Sequence, residues 1–169
     1  MDKQTLLRQA GWAQNLPESL MCIAPQAQMC CLTQEPRHVS IWDYAISPAG
    51  GHYFSACAEG TTSDYARLYE YLPETNEARR LFRLEDVIIT RDEAIRPSKI
   101  HSSIAFLPDG RLIMATHTTA AAPGHPRWMP FAYYPDLWQG YPGSNLLIYD
   151  PKSGEVTDLG VPVPHESIY

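Results

Sequence analysis

The chain has 169 residues, 44% of them hydrophobic and 19% charged, enough for one ordinary domain with a core and too apolar for a disordered tail. A formal net charge of -6 argues against binding a phosphate backbone, and the 15 prolines and 10 glycines, spread along the chain, exclude long helices and a helical bundle. No run approaches the roughly 18 apolar residues of a membrane span, and Met1-Asp2-Lys3-Gln4 does not open a secretory signal, so no membrane partner is expected and the chain as written reads as cytoplasmic. A missing true N-terminus would make it extracellular or periplasmic instead.

Residues 1-40 form an irregular N-terminal segment, in which Asp2 to Leu16 suits a short helix and Leu20 to Thr33 a strand or cap. Cys22, Cys30, Cys31 and Cys57 show no CxxC or finger spacing and read as buried small hydrophobes.

From residue 41 onward the sequence repeats itself. Tyr44-Ala45-Ile46-Ser47-Pro48-Ala49-Gly50-Gly51-His52-Tyr53-Phe54 matches Ile104-Ala105-Phe106-Leu107-Pro108-Asp109-Gly110-Arg111-Leu112-Ile113-Met114 at a shift of 60 positions. Each is a hairpin in which a Pro-x-Gly turn separates two β-prone runs. A second pair follows at a shift of 78: Leu68-Tyr69-Glu70-Tyr71-Leu72-Pro73-Glu74-Thr75-Asn76-Glu77 and Leu146-Leu147-Ile148-Tyr149-Asp150-Pro151-Lys152-Ser153-Gly154-Glu155. The unit is two consecutive hairpins, with strands expected at 42–47, 52–58, 66–72 and 78–84, then at 102–107, 111–117, 145–150 and 155–159. Pro164-His165-Glu166-Ser167-Ile168-Tyr169 echoes Ile100-His101-Ser102-Ser103-Ile104-Ala105 and would begin a third unit at 165-169.

Four short antiparallel strands repeated in this way describe an all-β, partial β-propeller: one blade at 41-100, a second at 101-164, and the first strand of a third. A closed propeller needs at least about four blades, so the missing blades are expected from the rest of a parent chain or from an oligomer.

Antiparallel order sends both long connections to one end of the blades and the tight turns to the other. One of them, Glu85 to Ile100, carries Arg91, Arg96 and Lys99. The other, the 26-residue insertion 118-143, carries Trp128, Phe131, Tyr133, Tyr134, Trp138 and Tyr141 on a Pro-rich frame, rings that suit stacking on a sugar or a satellite core of their own. His101 and His165 each precede an innermost strand, and His117 ends a second strand at the same end, so these imidazoles and Ser102 are expected to converge near the central axis. A histidine at a strand end is ordinarily structural; repeat-matched placement singles out His101. No HxH, HExxH, GxGxxG, P-loop or GxSxG element is present, so no cofactor is expected, and the axis is the place left for a calcium or other metal ion.

Three stretches carry a family resemblance: Lys99-Ile100-His101-Ser102-Ser103, Leu107-Pro108-Asp109-Gly110-Arg111-Leu112 leading to Ala115-Thr116-His117, and Leu147-Ile148-Tyr149-Asp150-Pro151-Lys152-Ser153-Gly154. Over Ile41 to Tyr169 the chain resembles β-propeller carbohydrate-active proteins, particularly polysaccharide lyases of the ulvan lyase and rhamnose-glucuronate lyase kind. The resemblance implies eliminative cleavage beside a uronic acid in a saccharide. Arg96 or Lys99 would neutralise the carboxylate, and His101 would exchange the C5 proton. Tyr133, Tyr134 or Tyr141 would protonate the leaving oxygen or stack. Ser102, His117, Trp128, Trp138 and His165 would contact the substrate. The isolated piece is expected to be inactive, and a non-catalytic module binding a saccharide or protein through its aromatic loop is the competing expectation.

Overall fold

A computed structural model describes Cys30, Leu32 and residues 38–58, 65–90, 95–101, 103–118 and 142–169. Leu32–Tyr169 forms one compact unit, in which the described residues make nine strands and a single 3-10 turn at Leu84–Asp86. The helix and strand expected within residues 1-40 lie almost wholly outside the described residues.

The first sheet is an antiparallel meander of β1 (His38–Ile46), β2 (His52–Ala58), β3 (Arg67–Leu72) and β4 (Glu77–Arg83), in that order. The second comprises β5 (Lys99–Ile100), β6 (Ala105–Phe106), β7 (Leu112–His117), β8 (Leu146–Tyr149) and β9 (Val156–Asp158), with β5 and β6 both paired to β7. Eight strands were expected in two sets of four, and the ladders follow that order; the strand expected at 102–107 is reduced to Ala105–Phe106 among the described residues, and Lys99–Ile100, expected in the connection before it, pairs with β7 as β5. β1 begins at His38, so the boundary expected at 40/41 falls inside a strand.

The repeated turns close with the same bonds. Ser47 N–H donates to the Gly51 carbonyl at 2.8 Å and Gly50 N–H to Ser47 at 2.8 Å; Leu107 N–H donates to Arg111 at 2.8 Å and Gly110 N–H to Leu107 at 2.9 Å. Gly50 and Gly110 take φ of 86° and 91°, the left-handed region in which a side chain is strained. The matched sequences thus encode one backbone path twice.

Period-2 alternation then builds the core. On β2, Tyr53 and Cys57 face the second sheet and join Leu68, Phe82, Leu84, Ile100, Leu112, Met114, Leu147 and Tyr149 in one buried cluster between the sheets. Phe54 and Ala56 point the other way and pack with Tyr69, the Phe54 and Tyr69 rings stacked 5.3 Å apart. Ser55, fully buried, donates its hydroxyl to the Ile100 carbonyl at 2.8 Å and ties β2 to β5. β1 ends its sheet and leaves Ile41, Trp42, Tyr44 and Ile46 exposed.

The break between β5 and β6 has an identifiable cause. Ser103 N–H and Ile104 N–H both donate to one oxygen, Oδ2 of Asp43 on β1, at 2.5 and 2.7 Å. The Ser103 hydroxyl replaces the backbone in the ladder, donating to the Ala115 carbonyl at 2.9 Å and accepting from Ala115 N–H at 3.0 Å. The amides of Ser103 and Ile104 thus find their acceptor outside their own sheet.

The third unit's first strand is corrected. Residues 165–169 form no strand: His165 N–H donates to Pro142 at 3.2 Å, Ser144 N–H to Glu166 at 3.0 Å, and Ile168 N–H to the Ser144 hydroxyl at 3.0 Å. A strand needs a ladder beside it, and this segment spends its donors and acceptors on the turn before β8 instead.

Candidate functional site

The connections expected at one end do meet there at their bases. Thr118 donates its hydroxyl to the Arg96 carbonyl at 2.8 Å, and Ala66 N–H reaches Pro97 at 3.3 Å. Lys99 and His117 are direct cross-strand partners at the edge of β5 and β7, and two residues later the strand break releases His101.

These side chains form one cluster with residues from β1 and the final segment. The Lys99 ammonium, on a residue only 2% exposed, lies 3.9 Å from the centroid of the Trp42 ring, a cation–π contact that suits a desolvated amine. Trp42 also stacks on His101 at 4.8 Å. His101 meets His117 edge-on at 5.6 Å, and Tyr169 approaches both imidazoles at 5.1 Å. His117 is held at both nitrogens, Nδ1 by the Ser167 hydroxyl at 3.1 Å and Nε2 by the Tyr169 hydroxyl at 3.3 Å.

Burial, and then the neighbouring His101 and Lys99, lower the His117 pKa from 6.5 to about 4. It is therefore neutral at pH 7, one ring nitrogen donating and the other accepting. His101 differs: it is half-buried, and its Nδ1 is enclosed with no hydrogen-bond partner. A buried polar atom left so is uncommon in folded proteins.

Of the residues expected at the site, Lys99, His101 and His117 come together. Arg96 does not join them, its guanidinium lying over the Tyr65 ring at 5.6 Å. His165 is exposed, with φ of 65°, in the turn against Gly143 rather than at the start of a strand. Ser102, Trp128, Tyr133, Tyr134, Trp138 and Tyr141 lie outside the described residues. Trp42, Ser167 and Tyr169 were missed. Trp42 had a signal, because it stands 60 positions before Ser102 and so beside His101 once the repeat is laid over itself. Tyr169 had a weaker one, in the echo of the His101 segment.

A groove of about 750 Å³ opens at the opposite end, among the tight turns, lined by Pro48, Tyr53, Phe106, Pro108 and Pro151. Its Asp109 and Arg111 pair with each other at 2.7 Å, and Asp150 and Lys152 line it as well. Among the described residues no three His, Cys, Asp or Glu side chains are grouped to hold a metal ion, and no helix is long and apolar enough to cross a membrane.

Compared with known proteins, the chain matches no family model, no curated protein and no solved structure.

Proposed function

We propose that the two sheets are consecutive blades of a β-propeller and that the Lys99–His101–His117 cluster takes a uronate-bearing saccharide and cleaves it by β-elimination. The observation that carries this reading is one cluster that joins a buried ammonium, a neutral imidazole, a second imidazole with an unpaired nitrogen, and a phenol, beside an exposed indole. Elimination beside a uronic acid needs a cation, a base and an acid close together, and this is such a set.

Lys99 pairs with the substrate carboxylate and offsets the charge that develops as C5 loses its proton. His101 accepts that proton, the C5–H electron pair becomes the C4–C5 double bond, and the C4–O bond breaks. Tyr169 gives its phenolic proton to the departing oxygen, and its hydrogen bond to His117 Nε2 orients the hydroxyl. Of the two cations expected as neutraliser this reading takes Lys99, and it gives the acid role to Tyr169, the insertion's tyrosines lying outside the described residues. Trp42, 42% exposed, forms the wall of the cluster against which Lys99 and His101 are held.

The test mixes the full-length protein with uronate oligosaccharides and with the same saccharides reduced at the carboxyl. Tryptophan fluorescence follows binding, and absorbance of the unsaturated uronate follows cleavage. The reading expects the carboxylate to strengthen binding at least about tenfold, with an absorbance rise that Lys99→Ala abolishes. Equal binding of both saccharides would overturn it. Carboxylate-dependent binding with no absorbance rise would replace the enzyme with a saccharide-binding module.

A further inference from the structure

The His101 imidazole sits where it does because the chain leaves the sheet between β5 and β6, and that departure is organised by a residue of the other sheet. Asp43 lies on β1, 58 positions earlier in the sequence than His101. Its Oδ2 alone accepts the N–H groups of Ser103 and Ile104, at 2.5 and 2.7 Å, two and three residues beyond His101. Without that acceptor these amides would lose a charge-assisted partner in a half-buried place, and the nearest replacement would be a regular ladder to β7. A continuous strand would turn the alternation of side chains through 101–104 and carry the imbedded His101 ring out of register with Trp42 and His117.

We propose that Asp43 is a positioning residue for His101: its carboxylate holds the strand break open and so fixes the imidazole between Trp42 and His117. The assignment rests on the reading of the cluster as the reactive site, and it adds a residue from the first sheet that touches none of the reacting groups. The adjacent Trp42 makes the coupling direct, since the register shift of β1 between Ile41 and Asp43 lets consecutive residues serve one neighbourhood, the carboxylate at the break and the indole on which His101 stacks at 4.8 Å. The Ser103 hydroxyl completes the device by holding Ala115 from the β7 side.

Two variants of the full chain separate positioning from simple stabilisation. Asp43→Ala removes the acceptor. Asp43→Glu keeps charge and acceptor but sets the oxygen one methylene further out, so it moves the break without deleting the interaction. The imidazole signals of His101, assigned by NMR through a His101→Gln control, report ring placement with no substrate present, and thermal unfolding reports stability. Positioning expects both variants to shift the His101 signals and to weaken the Trp42–His101 ring contact, Asp43→Glu doing so at nearly unchanged melting temperature. In the elimination assay kcat falls by about 100-fold while KM stays within about threefold, as expected when a reacting group is misplaced by an ångström. Wild-type His101 signals in Asp43→Ala overturn the proposal; where that variant does not fold, wild-type signals in Asp43→Glu do so. If no uronate saccharide is bound or cleaved by the parent protein, the functional reading fails while the ring signals still decide the role of Asp43. If cleavage is seen and both variants keep kcat and ring signals, the positioning role fails alone.

Discussion

The two sheets share turns, strand order and, over their first hairpins, a 60-residue offset, yet they part company at their first strands. β1 runs for nine residues with register shifts between His38 and Ser40 and between Ile41 and Asp43, whereas its counterpart is cut into two pieces of two residues each. The offset pairs Lys99 with Val39, His101 with Ile41 and His117 with Cys57. Where the second sheet holds an ammonium and two imidazoles, the first holds a valine, an isoleucine 57% exposed and a fully buried cysteine. The scaffold is common to both copies, and the ionisable cluster belongs to one. What a repeat preserves is the path of the backbone; what it lets vary is the side chain at an equivalent position.

The sharpest way to erase the difference is His101→Ile, which gives the second sheet the residue of the first. With the proton acceptor gone, cleavage of a uronate saccharide should fall by about 100- to 10,000-fold while the circular dichroism of the sheets is unchanged. A variant that retains more than a tenth of the rate would remove His101 from the chemistry.

The next comparison is of packing. Leu68 and Leu112 are fully buried on facing sheets in the same cluster. Leu68→Ala and Leu112→Ala should each cost about 3 kcal/mol in urea unfolding, and each should lower the single midpoint of the whole unit. Two separate transitions would show that the sheets fold independently and that their shared core is weak.

The smallest effect concerns acid. His117 is ordinary at about 6.5 when unfolded and is held near 4 in the fold, so the unfolded chain binds more protons across that interval. Stability is then full above pH 6.5 and declines as pH falls towards 4, by at most about 3 kcal/mol. His117→Gln, which can keep one hydroxyl partner, should flatten this part of the stability curve, and an NMR titration of the wild type should place the His117 midpoint near pH 4. An unchanged slope in the variant would assign the acid sensitivity elsewhere.

Much of the fold was legible in the turns. Pro-x-Gly and Asp-Pro-Lys-Ser-Gly fix hairpins through local bonding, so the order of strands and the end to which Lys99, His101 and His117 belong followed from the sequence alone. The strand break was not legible, because it depends on a long-range bond from Asp43 to amides about 60 residues away, although a lone carboxylate in the apolar run Ile41-Trp42-Asp43-Tyr44 was a sign that something would meet it. Arg96 was assigned by charge type and neighbourhood, and only packing could show that its guanidinium settles on Tyr65. His165 was assigned by echo with His101, and it failed because an echo transmits a sequence pattern without the neighbouring strand that gives the pattern its shape.

The exposed side chains of β1 have one more consequence. Ile41, Trp42, Tyr44 and Ile46 put four large apolar groups on the surface of one strand, and Asp43 carries the one full negative charge between His38 and Ile46. A neutral replacement at Asp43 would remove that charge from an apolar strand, and is expected to lower solubility in concentrated solutions.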